Sequence, residues 1–227
     1  YPYHVEGAGP HVAAGAVLCQ LTEDPDTAAW APVGISAVGS IRLGLLDLLA
    51  LPPRKTRPLP PARKAAPRAE PTPLMSVAYV LQTLAEARKP DHIVVEEAPS
   101  ARPVMQAHLP FTRSETFYTM DSGGLGYGMP ASVGVALGKP GRRVICLIGG
   151  GSSMYSLQAL WSAAQNKLPI TFVILNNRRY AALQDFAPVF GFSPTDVVQG
   201  TDLPDLDFQS LRTGMGCPAV RVTGPAD

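Results

Sequence analysis

Cysteine is scarce in this sequence, and the three present, Cys19, Cys146 and Cys217, are odd in number and far apart. Each sits in apolar, strand-like surroundings, where a thiol behaves as a small hydrophobe. A disulfide framework is not expected, and a reducing, cytoplasmic setting is. Long apolar runs are missing too: no stretch reaches the roughly 18 uninterrupted apolar residues a membrane span needs, and no charged segment precedes an apolar run at the start. A membrane is therefore not an expected partner. The first residue is Tyr1 rather than Met, so the chain is expected to begin inside a longer protein.

An excess of one charge is absent as well. There are 19 basic and 18 acidic residues, but six of the basic ones (Arg54, Lys55, Arg57, Arg63, Lys64 and Arg68) crowd into residues 52–74 with a single acid, Glu70. The rest of the chain then holds 13 basic against 17 acidic residues, which leaves no cationic surface of the kind nucleic-acid binding requires. What is abundant is apolar: 46% of 227 residues, enough for one good core or two small ones.

Three regions separate by composition. Residues 1–51 hold a strand-like run at 16–21, an Asp24-Pro25 turn and an apolar helical pattern at 41–51, about half a domain. Residues 52–74 contain eight prolines, which cannot sustain helix or sheet, and read as a basic, solvated linker. Residues 75–227 alternate: helices over 75–88, 101–109, 126–138, 153–166, 179–187 and 207–214, and strands over 92–97, 116–120, 143–148, 170–175 and 218–222. Val144–Ile148 and Ile170–Leu175 are apolar on both faces, as a parallel sheet covered by helices requires. The fold class is α/β, a doubly wound, mostly parallel sheet with helices on both faces, and ligands of such sheets sit beyond the carboxyl ends of the strands.

The segments after three strands are unusual: Asp121-Ser-Gly-Gly-Leu-Gly-Tyr-Gly-Met-Pro130, Gly149-Gly-Gly-Ser-Ser153 and Asn176-Asn-Arg-Arg-Tyr180. Glycine between strand and helix lets the backbone approach a diphosphate, whose charge the helix N-terminus favours. Gly126, Gly128 and Ala131 formally fit the dinucleotide pattern G-x-G-x-x-A. Its context fails, because the acid that should follow about 20 residues later would fall near Gly149–Gly151, where there is none.

The second and third loops, with Gly149-Gly150-Gly151 and Asn176-Asn177 each following a strand, resemble the thiamine diphosphate motif, which opens Gly-Asp-Gly and closes Asn-Asn about thirty residues on. The resemblance extends through Gly123–Gly134, Ser156–Gln165, Phe172–Asn177, Tyr180–Leu183 and Phe186, and it is to the thiamine diphosphate-dependent decarboxylases, benzoylformate decarboxylases among them. It implies the thiamine diphosphate-binding fold preceded by half of a Rossmann-like middle domain. It implies thiamine diphosphate and magnesium as cofactors, a 2-oxo acid as substrate, and identical subunits that supply the pyrimidine-binding domain this chain lacks. By itself the chain is expected to be inactive, with the diphosphate-binding domain ending before its last helix and strand.

Site roles follow from the same resemblance. Gly123, Gly124, Gly149, Gly151, Ser152, Asn177 and Tyr180 fall at cofactor-binding positions, and Leu125 matches the aliphatic residue on which the cofactor bends. Gly150 stands where the family has its metal-ligating aspartate, Asn177 where it has an amide ligand, and Arg179 where a backbone carbonyl completes the set. His4 aligns with a proton-transferring histidine, and Ala182 and Phe186 with substrate-pocket positions. Glu97 follows a strand in a position facing the same crevice. Blander readings stand beside these: an N-cap for Ser152, core packing for Leu125, Ala182 and Phe186, a helix-capping acid for Glu97, and no role for His4. Two functions remain open, part of a working 2-oxo acid decarboxylase, or a degenerate homologue that keeps the fold as a scaffold because glycine has replaced the metal-binding acid.

Overall fold

The computed structural model of the chain describes residues 12–31, 33–52, 58–59, 61, 64–120, 123–193 and 195–227. Two compact units are present, Tyr1–Arg63 and Lys64–Asp227, and the division falls inside the proline-rich segment 52–74.

In the first unit, β1 (Cys19–Thr22) pairs in parallel with β2 (Ile35–Val38), joined by α1 (Pro25–Ala29) and followed by α2 (Ile41–Ala50). Asp24-Pro25 is a helix start rather than a plain turn. The Asp24 carboxylate accepts from the Asp26 amide at 2.9 Å, and Pro25 takes the first helical position, where a missing N–H costs nothing. β2 has no counterpart in the sequence reading, because four residues between Gly34 and Gly39 are too few to display an alternation. No residue of α2 is buried, although Leu43, Leu45, Leu46, Leu48 and Leu49 lie along it.

The second unit opens with α3 (Val77–Ala87), started by the Ser76 hydroxyl, which accepts from the Tyr79 amide at 3.1 Å. β3 (Ile93–Glu97), α4 (Arg102–His108), β4 (Phe117–Thr119), α5 (Gly128–Gly138) and β5 (Val144–Gly149) follow. Then come α6 (Gly150–Ser153), α7 (Ala159–Gln165), β6 (Ile170–Leu175), α8 (Ala181–Phe186) and α9 (Phe208–Gly214). The four strands are parallel in the order β4-β3-β5-β6.

Successive side chains of a strand point to opposite faces, and two layers result. Val94, Ile145 and Leu147 pack with Leu81 of α3 and Met105 of α4, whereas Cys146 and Ile148 pack with Met129 of α5 and Leu160 of α7. All five residues of β3 are buried. This is the doubly wound α/β sheet expected from the sequence.

Two expected elements differ. The helix expected over 153–166 is broken into α6 and α7: the Ser153 hydroxyl donates to the Gly150 carbonyl at 2.7 Å, and the amides of Met154, Tyr155 and Ser156 bond three residues back, which tightens the turn. The strand expected over 218–222 does not form. Pro218 brings no amide, and Val220 and Val222 face solvent at 86% and 53% exposure instead of adding to the sheet.

Candidate functional site at the carboxyl ends of the strands

The chain leaves β3 toward β4 on one side and leaves β5 toward β6 on the other, so the winding reverses between β3 and β5. A crevice at such a reversal is where ligands of open α/β sheets bind. Glu97, the last residue of β3, lies opposite Ile148, one residue before Gly149.

In the first loop Gly123 and Gly126 have φ of +69° and +97°, a region L side chains rarely adopt. Leu125 is 40% exposed and belongs to no core cluster among the described residues, so packing does not account for it. The Gly126 and Gly128 amides both donate to the Glu97 carboxylate, at 2.8 and 2.5 Å. Glu97 is fully buried, and burial pushes its carboxyl above the ordinary range while the amide bonds from Gly128 and Gly126 oppose the rise. Its neighbour Glu96, also buried, accepts from Arg102 Nε and Nη2 at 3.1 and 3.0 Å and from the Thr119 hydroxyl at 2.9 Å.

The second loop forms the start of α6. Its cap is Gly149, with no side chain bonding the first amides, and Ser152 lies inside the turn rather than capping it. Gly150, Gly151 and Ser152 are buried. A Cβ on Gly151 would come within 2.5 Å of Cδ1 and Cε1 of Tyr180 and 3.3 Å of Leu203 Cδ1.

The third loop is shaped by its two asparagines. Asn176 Oδ1 accepts from the Arg178 amide at 3.1 Å, and Asn177 Oδ1 from the Arg179 amide at 3.3 Å. Arg178 is held at φ +60°, and its guanidinium lies 3.8 Å from the Asp205 carboxylate, with both side chains exposed. The segment 201–203 runs alongside: the Tyr180 amide donates to the Thr201 carbonyl and the Leu203 amide to the Arg178 carbonyl, each at 2.7 Å. On α8, Ala182 is exposed, and Phe186 meets Phe190 edge to face at 5.3 Å. Neither lines the nearby cleft of about 380 Å³ bounded by Arg179, Gln184, Asp185 and Asp202. His4 lies outside the described residues.

Three glycine- and asparagine-bearing loops thus follow parallel strands around one crevice, and the profile of the thiamine pyrophosphate enzyme C-terminal TPP binding domain matches residues 100–227. The chain belongs to the thiamine pyrophosphate enzymes. It is 39% identical over 224 residues to a benzoylformate decarboxylase of Pseudomonas aeruginosa, which covers 97% of this chain and 41% of the relative. Among solved structures it is similar to a benzoylformate decarboxylase from Polynucleobacter necessarius (TM-score 0.87, 33% identity, 96% of this chain and 41% of that one). It is likewise similar to a thiamine diphosphate-dependent 4-hydroxybenzoylformate decarboxylase of Rhodococcus jostii (TM-score 0.83, 34% identity, 95% and 41%). The chain spans about two fifths of the length of these thiamine pyrophosphate enzymes.

The residues present suit the two parts of the family's cofactor set unequally. A diphosphate is suited by the glycine turn at Gly149–Gly151, whose start no side chain caps and whose Gly150 and Gly151 are buried, which leaves backbone amides and the Ser152 hydroxyl as donors. Magnesium is not suited. It wants a shell of hard, largely anionic oxygens, but Gly150 offers none, the Asn177 oxygen is turned to the Arg179 amide, and the described residues contain no group of three His, Cys, Asp or Glu able to hold a metal.

Two features of the site are not evident in the sequence. Glu97 carries the ambiguity of any acid at a strand end, and only the fold brings both of its oxygens to the first loop. The contact of Leu203 with the glycine turn spans about fifty residues, and no motif announces it.

Proposed function

We propose that this chain is the diphosphate-binding part of a thiamine diphosphate-dependent enzyme acting on 2-oxo acids. The proposed reaction is non-oxidative decarboxylation of an aromatic or branched substrate such as benzoylformate, a carbon–carbon lyase reaction. The observation that carries this reading is the meeting of three strand-to-helix loops at the reversal of the sheet, with an uncapped glycine turn at its centre. When bound, thiamine diphosphate supplies the electron sink that lets a 2-oxo acid lose carbon dioxide.

In this proposal the amides of Gly149–Gly151 and the Ser152 hydroxyl hold the diphosphate, with Gly123, Gly124, Asn177 and Tyr180 around it. Leu125, exposed at the rim, supports the bend of the cofactor. Ala182 and Phe186 face the substrate, and His4 moves a proton. The pyrimidine-binding domain comes from an identical subunit, so the working form is a homo-oligomer. Free Cys19, Cys146 and Cys217 fit a reducing cytoplasm, and none of the helices in the described residues is long and apolar enough to cross a membrane.

The test uses the full-length protein. Titration with thiamine diphosphate should give saturable binding, and benzoylformate or a branched 2-oxo acid should yield carbon dioxide and the corresponding aldehyde. A second reading is favoured by one observation, the glycine at position 150: the protein keeps the fold as a scaffold without catalysis. Absence of thiamine diphosphate binding by the full-length protein, with magnesium present, would select the scaffold.

A further inference from the structure

Glu97 is fully buried, and among the described residues no lysine, arginine or histidine forms an ion pair with it, unlike adjacent Glu96, which has Arg102. A buried carboxylate without a cation is costly unless its oxygens are hydrogen-bonded. Among the described residues the compensation comes from the backbone of one loop: Oε1 accepts from the Gly126 amide and Oε2 from the Gly128 amide. Two donors face two acceptors, an arrangement glutamine cannot reproduce, since its NH2 would meet one of the amides donor to donor.

The loop is shaped to receive this carboxylate. Any side chain on Gly128 would place its Cβ 2.9 Å from Glu97 Cβ and 3.1 Å from Oε2. Gly126, at φ +97°, turns the chain immediately after Leu125, the exposed apolar residue of the loop. Because Glu97 also pairs in register with Ile148 of β5, it ties the first loop to the strand that ends in the Gly149–Gly151 turn.

We propose that Glu97 is a positioning residue of the cofactor site, clamping the Gly126–Gly128 backbone so that Leu125 is presented to the ligand in a fixed orientation. This deepens the thiamine diphosphate reading above and rests on it. Glu97 itself touches neither cofactor nor substrate, since both of its oxygens are occupied by the loop.

The experiment compares full-length wild type with Glu97→Gln by amide hydrogen exchange and by calorimetric titration with thiamine diphosphate. Leaving a buried donor unsatisfied should raise exchange in 123–128 by about tenfold or more and weaken thiamine diphosphate binding by about tenfold. Exchange in β5 and α7 should stay at the wild-type rate. Unchanged loop exchange, or a rise spread evenly over β5, α7 and the loop, would overturn the clamp. Should Glu97→Gln fail to fold, Glu97→Asp keeps the charge but is too short to span both amides, and carries the same comparison. A wild type that binds no thiamine diphosphate would sink the cofactor reading, while the local exchange result would still decide whether Glu97 clamps the loop.

Discussion

The ring of Tyr180 rests on the α-carbon of Gly151, close enough that a methyl group there would meet Cδ1 and Cε1 at 2.5 Å. The second and third loops are thereby in direct contact, and the glycine is required by the tyrosine as much as by any ligand. Gly151→Ala should destabilise the protein by about 1–3 kcal/mol through overpacking. Tyr180→Ala in the same chain should recover at least about 1 kcal/mol relative to the sum of the single variants. Urea unfolding of the four forms measures this coupling, and strict additivity would show that the ring moves aside freely.

Restoring an acid at position 150 has room only if a neighbour gives way. A Cβ on Gly150 would lie 3.2 Å from Asn176 Oδ1, an atom at the end of a side chain that can shift by a few tenths of an ångström. Gly150→Asp in the full-length protein should then tighten magnesium-dependent thiamine diphosphate binding by one to two orders of magnitude, about 1.4–3 kcal/mol. Calorimetric titration with and without magnesium checks it, and equal affinity of both forms would remove the acid from the account.

Arg178 is subject to two effects of opposite sign. Its φ of +60° is strained for a residue with a Cβ, so Arg178→Gly should stabilise the fold by about 1 kcal/mol in thermal or urea unfolding. Among the described residues its guanidinium has one ion pair, an exposed one with Asp205, and such pairs contribute little, so the charge is free to turn to a diphosphate in place of a metal ion. Thiamine diphosphate binding should therefore survive EDTA, weaken with added salt, and fall when Arg178→Gly is combined with Arg179→Thr. A double variant that binds as tightly as wild type would rule both arginines out.

The pH dependence of stability carries the signature of Glu97. Burial raises its carboxyl above the ordinary value of 4.5, helped by the negative charge of Glu96 and opposed by the amides of Gly128, Gly126 and Tyr127. With the folded value above the unfolded one, its contribution is fully present below pH 4.5 and is lost as pH climbs through the raised value. The stability of wild type relative to Glu97→Gln should accordingly fall as pH rises above 4.5, as read by urea unfolding over a pH series that starts below that value. A difference that stays level with pH would mean that the carboxyl is not perturbed.

The sheet of the second unit was legible because two adjacent strands are apolar on both faces: Val144–Ile148 is buried, and in Ile170–Leu175 the side chains of Val173 and Leu175 pack on one side of the sheet while those of Phe172 and Ile174 pack on the other. The glycine loops were legible because backbone freedom has a sequence signature. What stayed hidden depends on partners distant in the chain or on competing local bonds. The break between α6 and α7 turns on the Ser153 hydroxyl reaching the Gly150 carbonyl, which periodicity does not register. Pro218–Val222 has the apolar residues of a strand, yet composition says nothing of whether a neighbouring edge will accept it. Glu97 reads in the sequence equally as an acid facing the crevice or as a helix cap, and its bonds to two amides exist only once β3 stands beside the first loop.

The pairing of 178–180 with 201–203 makes the third loop a two-ply ribbon. Arg178 and Tyr180 each share a backbone bond with the opposite ply, and Gln184 adds side-chain bonds to Thr201 and Asp202. Neither ply can peel away without breaking these bonds, so the backbone from Arg178 to Tyr180 is coupled to Leu203. A shift of the backbone at Tyr180 therefore pulls on the segment that leads toward α9, and a change at 201–203 is felt at the edge of the crevice.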